Sequence, residues 1–387
     1  MAKYNTNRNI SLHDYYRIFL TIATGFIITM SIITISFSTV SAFHQAKEYE
    51  FVKKWGSRGT GDGQFQRPHD LDFDPAEKYL YIIDRDGARI EVFDKNGTFI
   101  NKWGSQGTGD GQFELPYGLD VDSQGNVWVA DRSAARIQKF DSNGNFLLKF
   151  GSEGSGEGQF DFPRQVAVDK DVKFVYVADS NNHRIQKFDS NGNFLLKFGS
   201  KGRGEGQFNN PRQVAVDKDV KFVYVVDSSN NRIQKFDSNG NFIKSWGSKG
   251  KGDGQFNVPV SVIIDSKGNI VVNERGNARV QKFDSDGNFL LKFGSEGSGD
   301  GQFSHVEHIG SDKYDNIYVN DPQSDETGSG QPRTQKFDTN GNFITKWGSE
   351  YTDPEHLAID SDGYVYVSDR GSNDIKVFRP IDTVPHQ

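Results

Sequence analysis

PRQVAVDKDVKFVYVADSNNHRIQKFDSNGNFLLKFGSKGRGEGQFNN, residues 163–210, is the stretch that decides the fold. Residues 211–258 repeat it almost letter for letter, and looser copies fill the chain after about residue 50. Such a period marks a repeat architecture, in which each unit buries its faces only against its neighbours. Each unit holds four strand-length runs rich in β-branched and aromatic residues: 166–168, 174–178, 184–188 and 194–198. Asp-Ser-Asn-Gly separates the last two runs at 141–144, 189–192 and 237–240. Asn-Gly supplies the positive φ of a two-residue hairpin turn. Four antiparallel strands per unit, repeated in tandem, predict an all-β chain folded as a β-propeller.

The first strand (a) recurs before Asp74, Asp122, Asp169, Asp217, Asp265, Asp312 and Asp360. The fourth (d) recurs before Gly56, Gly104, Gly151, Gly199, Gly247, Gly294 and Gly348. The first d strand precedes any a strand, and the last a-b-c set has no d strand after it. Seven blades are therefore expected, with six as the alternative. The N-terminal strand should complete the C-terminal blade and remove the open edges.

PxxVAVD, YVAD, NxRIQKFD and the W/F-G-S glycine stretch together resemble the NHL repeat. WD40 is the nearest competitor, but its Gly-His and Trp-Asp signatures are missing. The resemblance implies a propeller whose d–a and b–c loops share one face around a central channel. Some NHL-type enzymes, the peptidylglycine amidating lyases among them, place metal-binding histidines just after the repeat's proline. His69, in Pro68-His69-Asp70, is similar to that pattern. NHL propellers of the TRIM type bind RNA on a basic face.

The chain has no cysteine, which excludes disulfides and thiolate metal sites. Its net charge is −7; Lys3, Arg8 and Arg17 against Asp14 contribute +2 to the first 42 residues, so the remainder carries −9. An acidic body argues against nucleic acid as a partner. Residues 18–40 carry no charge and are followed by Val40-Ser41-Ala42. They read either as a signal peptide or as an N-terminal membrane anchor. Both readings put the body outside the cell, secreted or at the surface, with the membrane as a partner only through this segment. The expected organisation is a leader or anchor (1–42), a propeller (43–380) and a short tail (381–387).

An acidic residue ends strand b in every unit, from Asp84 to Asp369, and an Arg opens strand c in six. A pair repeated that often reads as a structural device. Unit 7 has Asp374 where the Arg is expected, leaving Asp369 without its usual partner. The GSxGxGxGQF stretches read as interblade crossings: no helix follows to bind phosphate, and one acid per loop is thin for calcium.

The departures from the repeat carry the functional expectation. Around the ring, the residue two after the repeat's proline is Asp70, Gly118, Gln165, Gln213, Ser261, His308 and His356. The residue before it is His69, Tyr117, Arg164, Arg212, Val260, Glu307 and Glu355. Histidines and carboxylates thus gather on blades 6, 7 and 1. Unit 6 carries an insertion with Asp325 and Glu326, and unit 7 lacks the GxGxGQF loop, which together predict a notch. His69, Asp70, His308 and His356 are the candidate metal ligands, for zinc or calcium. Glu307, Glu355, Asp325, Glu326 and Asp374 are the candidate ligand-binding residues. Strand alternation would point His69 away from the face of His308 and His356. Arg164, Lys201, Arg203 and Arg212 form a basic patch opposite. No catalytic motif is complete. The expected function is a non-enzymatic surface module that binds a protein, peptide or glycan. The alternative is a metal-dependent lyase or hydrolase at the channel mouth.

Overall fold

The computed structural model describes residues 48–169, 171–322 and 331–381. The expected leader or anchor, Asp325, Glu326 and residues 382–387 of the tail lie outside them. Among the described residues no helix is long and apolar enough to cross a membrane.

Seven four-stranded antiparallel sheets make up the fold, one per repeat. Blade 3 is typical: strand a spans Pro163–Val168, b Phe174–Asp179, c Arg184–Asp189 and d Phe194–Phe198. Strand b is buried almost throughout because a neighbouring blade covers each face, whereas strand d alternates between half-buried and exposed. Blade 7 joins a (Pro354–Ile359), b (Val365–Asp369) and c (Asp374–Ile381) to the N-terminal strand Glu48–Trp55, which serves as its d strand. The ring is closed as the strand count predicts. Tyr49 stacks on Trp347 of blade 6 at 4.1 Å between ring centres. On the other side Trp55 packs with Phe93 of blade 1 and Tyr366 of blade 7.

The core is a set of interblade layers. Each cluster draws on adjacent blades; one joins Tyr81, Ile83 and Ile90 of blade 1 to Leu119, Val127 and Phe140 of blade 2. The d–a crossings end in a phenylalanine buried in these layers, such as Phe65, Phe160 and Phe208.

The c–d turns differ from the expected two-residue hairpin. Gly144 has φ +82° but Asn143 is not at positive φ. Gly144 N–H donates to the Asp141 carbonyl at 3.0 Å, and Asp141 Oδ1 accepts from the backbone of Asn143 and Asn145 at 2.9 and 2.8 Å. This is a longer loop with a left-handed glycine and a bulge. It lets the glycine lie flat on the previous blade: a Cβ on Gly144 would come within 2.4 Å of the Trp103 ring.

The repeated ion pair is structural. Arg184 Nε meets Asp179 at 2.7 Å, and its Nη atoms donate to the carbonyls of Ser155, Gly156 and Gln159 in the crossing. In blade 7 the cation has moved two residues along strand c. Lys376 Nζ reaches Asp369 at 2.7 Å and Asp374 at 2.5 Å, so Asp369 is paired after all and Asp374 is buried within the blade. At the missing crossing of blade 7 Tyr351 is buried against Gly348 as the phenylalanine is in the other crossings, and the blade 6 insertion expected to complete a notch lies outside the described residues. Five of the six crossing acids pair with strand d lysines at the surface, as in Lys102–Asp62 at 2.8 Å.

Candidate functional site

The strand a segments line a cavity of about 500 Å³ at the channel mouth, with His69, Tyr117, Arg164, Arg212, Glu307, His308, Glu355 and His356 in its wall. Several positions that line it also hold the ring together. Asp70 accepts from Leu119 N–H at 2.9 Å, Asp120 from Val168, Gln165 from Val214 and Gln213 from Val262. These bonds link blades 1 to 5 in succession.

On blades 6, 7 and 1 the imidazoles stand together. The rings of His69 and His356 are 5.0 Å apart, and His308 stacks on His356 at 4.2 Å. The expected separation onto opposite faces does not occur. The pairing register shifts between Pro68 and Leu71 and between Pro354 and Leu357, which breaks the alternation. Blade 6 has Val306 in place of the proline, and its strand a is only Ile309–Ser311, so His308 precedes the strand.

One nitrogen each from His69 and His356 and one oxygen from Glu355 lie within 4.8 Å of one another. His69 Nε2 is 3.4 Å from Glu355 Oε1. His356 Nδ1 is 3.0 Å from Asp70 Oδ1, which leaves its Nε2 as the other donor. Nδ1 of His69, of His308 and of His356 is buried without a well-aligned hydrogen bond, so the Asp70–His356 contact is an ion pair. Arg370 Nη1 holds the other oxygen of Glu355 at 2.5 Å.

The charge states follow from these contacts. Burial, then the neighbouring His356, pushes the His69 pKa well below that of a free imidazole. Burial likewise pushes His308 down to about 3. Burial opposes the charged form of His356 too, but the Asp70 carboxylate outweighs it and raises the pKa. Asp70 is held at about 2 because the His356 charge beside it, with Leu119 N–H, outweighs its burial. The site therefore presents two neutral imidazoles, His69 and His308, beside a His356–Asp70 pair in which the charged forms are favoured. Glu355 is raised by burial, against the pull of Arg370.

Two imidazoles and a carboxylate are the donor set of an open zinc-type site. Asp70 stands beside His356 as the carboxylate partner of a metal-binding histidine would. The set is poor for calcium, which takes six to eight oxygens. Glu307 stands apart from it, in ion pairs with Arg212 (3.3 Å), Arg275 and His305 (3.2 Å). Of the expected basic patch, Arg164 and Arg212 line the cavity, while Lys201 and Arg203 lie in the exposed crossing between blades 3 and 4. The sequence reading missed Tyr117 as a site residue, along with Arg85, Arg132, Arg275 and Arg370. The four arginines follow the last residue of strand b, a position with no repeat identity to flag it.

The comparisons agree with this architecture. A family model described as NHL repeat matches residues 113–140, and one described as 6-bladed beta-propeller matches residues 171–246. Comparison with curated proteins returns no match. Among solved structures, a streptogramin B lyase is similar with a TM-score of 0.66 at 13% identity, covering 87% of this chain and 99% of that one. Virginiamycin B lyase from Staphylococcus aureus is similar with a TM-score of 0.65 at 12% identity, covering 86% of this chain and 100% of that one. Kuenenia stuttgartiensis hydrazine synthase is similar with a TM-score of 0.65 at 13% identity, covering 84% and 98%. At these identities the likeness is one of fold. One unit is matched as an NHL repeat, and together with the seven blades this supports an NHL-repeat β-propeller.

Proposed function

We propose that the channel mouth is a divalent-metal site and that the chain is a metal-dependent enzyme of the lyase or hydrolase type. The observation that carries this reading is the convergence of His69, Glu355 and His356 within 4.8 Å, with Asp70 beside the His356 ring. A zinc-type ion held there supplies Lewis acidity beside a cavity large enough for a small ligand. Arg370 restrains Glu355, and the buried, neutral His69 is ready to ligate without first losing a proton. Two of the similar folds are lyases by title, which is compatible with this reading and does not establish it. With the export segment expected at residues 18–40, the enzyme works outside the cytoplasm.

The test is elemental analysis of the full chain purified without chelator. About one zinc-type ion per chain is expected, and His69→Ala with His356→Ala should abolish it. Metal content that the double variant leaves unchanged refutes the assignment.

The reading as a non-enzymatic module for a protein, peptide or glycan keeps one supporting observation. Phe162 and Val258, just before the prolines of blades 3 and 5, are 40% and 39% exposed at φ +57° and +56°. Large side chains held at positive φ and turned to solvent suit a contact surface. A chain that binds no metal yet captures such a partner through these residues would favour this alternative.

A further inference from the structure

On the blade 2 side of His69, Tyr117 is surrounded by cations. The guanidinium of Arg132 lies 4.9 Å from the Tyr117 ring centre and 4.7 Å from that of Phe162, so two aromatic rings hold it. Arg85 lies 5.3 Å and Arg164 5.9 Å from the same Tyr117 ring. The His69 ring touches Tyr117 from another side, at 4.5 Å between centres. Among the described residues no carboxylate pairs with Arg132 or Arg164, and the Nε of each is buried without a hydrogen-bond partner. The other nearby arginines each have a carboxylate within 4 Å, although Nε of Arg85 and of Arg275 is likewise buried without a hydrogen-bond partner: Arg212 and Arg275 share Glu307, and Arg85 has Asp86 at 3.9 Å.

This arrangement is costly without an anion. Burial lowers the pKa of both Arg132 and Arg164, and neighbouring arginines lower them further. Stacking on aromatic faces offsets part of that cost and fixes the guanidinium planes. A planar fork fixed in this way is the device by which arginine recognises a carboxylate, phosphate or sulfate through paired, charge-assisted hydrogen bonds. Elsewhere the fold satisfies its arginines with loop carbonyls and a strand b carboxylate, so the absence of such partners here is a local departure. Arg164 lines the cavity and the ring of Tyr117 separates it from His69, so an anion seated here lies within one small molecule's length of the histidines.

We propose that the blade 2–3 side of the channel mouth is an oxyanion site, in which Arg164 and Arg132, set on Tyr117 and Phe162, receive the carboxylate, phosphate or sulfate end of a small ligand. The site does not require the metal, and it is tested with the metal removed. The full chain in EDTA is titrated calorimetrically with phosphate, sulfate and citrate at constant ionic strength maintained with chloride. Saturable binding of at least one anion is expected, and the order among the three identifies the preferred head group. Arg132→Gln with Arg164→Gln should weaken it about tenfold or more, the size of one lost charged hydrogen-bond pair. Lys201→Gln with Arg203→Gln removes the same charge from the exposed crossing and should leave it unchanged. If the first pair does not fold, Arg164→Lys keeps the charge, loses the fork and should still weaken binding severalfold. The proposal is overturned if no anion saturates at up to about 10 mM, above the range of a weak small-ligand site. It is equally overturned if the control pair loses as much affinity as the Arg132 and Arg164 pair, or if Arg164→Lys binds as tightly as the parent.

Discussion

Replacing Asp70 with Asn removes the carboxylate that joins blade 1 to blade 7 through His356 and to blade 2 through Leu119 N–H. Asn retains an oxygen for Leu119 but loses the charge. Lowering the Asp70 carboxyl from 3.8 to about 2 corresponds to about 2 kcal/mol, at ~1.4 kcal/mol per pH unit. The raised pKa of His356 reports the same ion pair, so it adds nothing to this figure. The signs are opposite for the two partners. A depressed carboxyl stabilises above its unfolded pKa, and the contribution is lost as pH falls from about 4 through about 2. A raised imidazole stabilises below its unfolded pKa near 6.5, and the contribution is lost as pH rises through the higher folded value. The parent and Asp70→Asn should therefore differ most near pH 5, by about 2 kcal/mol, and converge toward both ends. Urea unfolding of metal-free protein from pH 3 to 9 measures this, with His356→Ala and the double variant closing a thermodynamic cycle. A difference that stays flat across that range, or a cycle with no coupling, refutes the ion-pair account.

Metal affinity at His69, Glu355 and His356 should rise with pH above 6.5, because ligation displaces the proton that Asp70 stabilises on His356; zinc titrations at several pH values check this. In blade 7, Lys376→Gln leaves the buried Asp369 carboxylate without a cation, while Asp374 keeps Lys54 at 3.1 Å, and should cost about 3 kcal/mol. Adding Asp374→Arg rebuilds the pattern of the other blades, and denaturant melts should show most of that loss recovered. Gly144→Ala forces a Cβ into Trp103 at a φ of +82° and should cost over about 1 kcal/mol, whereas Gly125→Ala, at φ +81° with nothing within 4 Å, should cost less by the same melts.

The 48-residue ruler of 163–210 was enough to establish blades, strand order and closure, because each depends on short-range signals repeated along the chain. Strand composition, the position of Asn-Gly and the orphan strands at the two ends are all linear properties. Legible too were the odd members of the ring, His69, His308, Glu355 and His356, since they break a repeat that is otherwise regular. The side-chain directions were not legible. Alternation predicts opposite faces for His69 and His356, and a register shift next to each proline places their rings 5.0 Å apart. Nor could the sequence separate ligands from supports: Asp70 looks like a ligand in the chain and acts as the partner of His356 in the fold. Residues 95 apart in sequence, Arg212 and Glu307, meet across the channel, and Arg132 finds Tyr117 and Phe162 only once blades 2 and 3 pack together. The sequence by itself determined the repeat and favoured seven blades over six. Which charges face one another across the mouth was decided only by the closure of the ring, which brings the ends of the chain together.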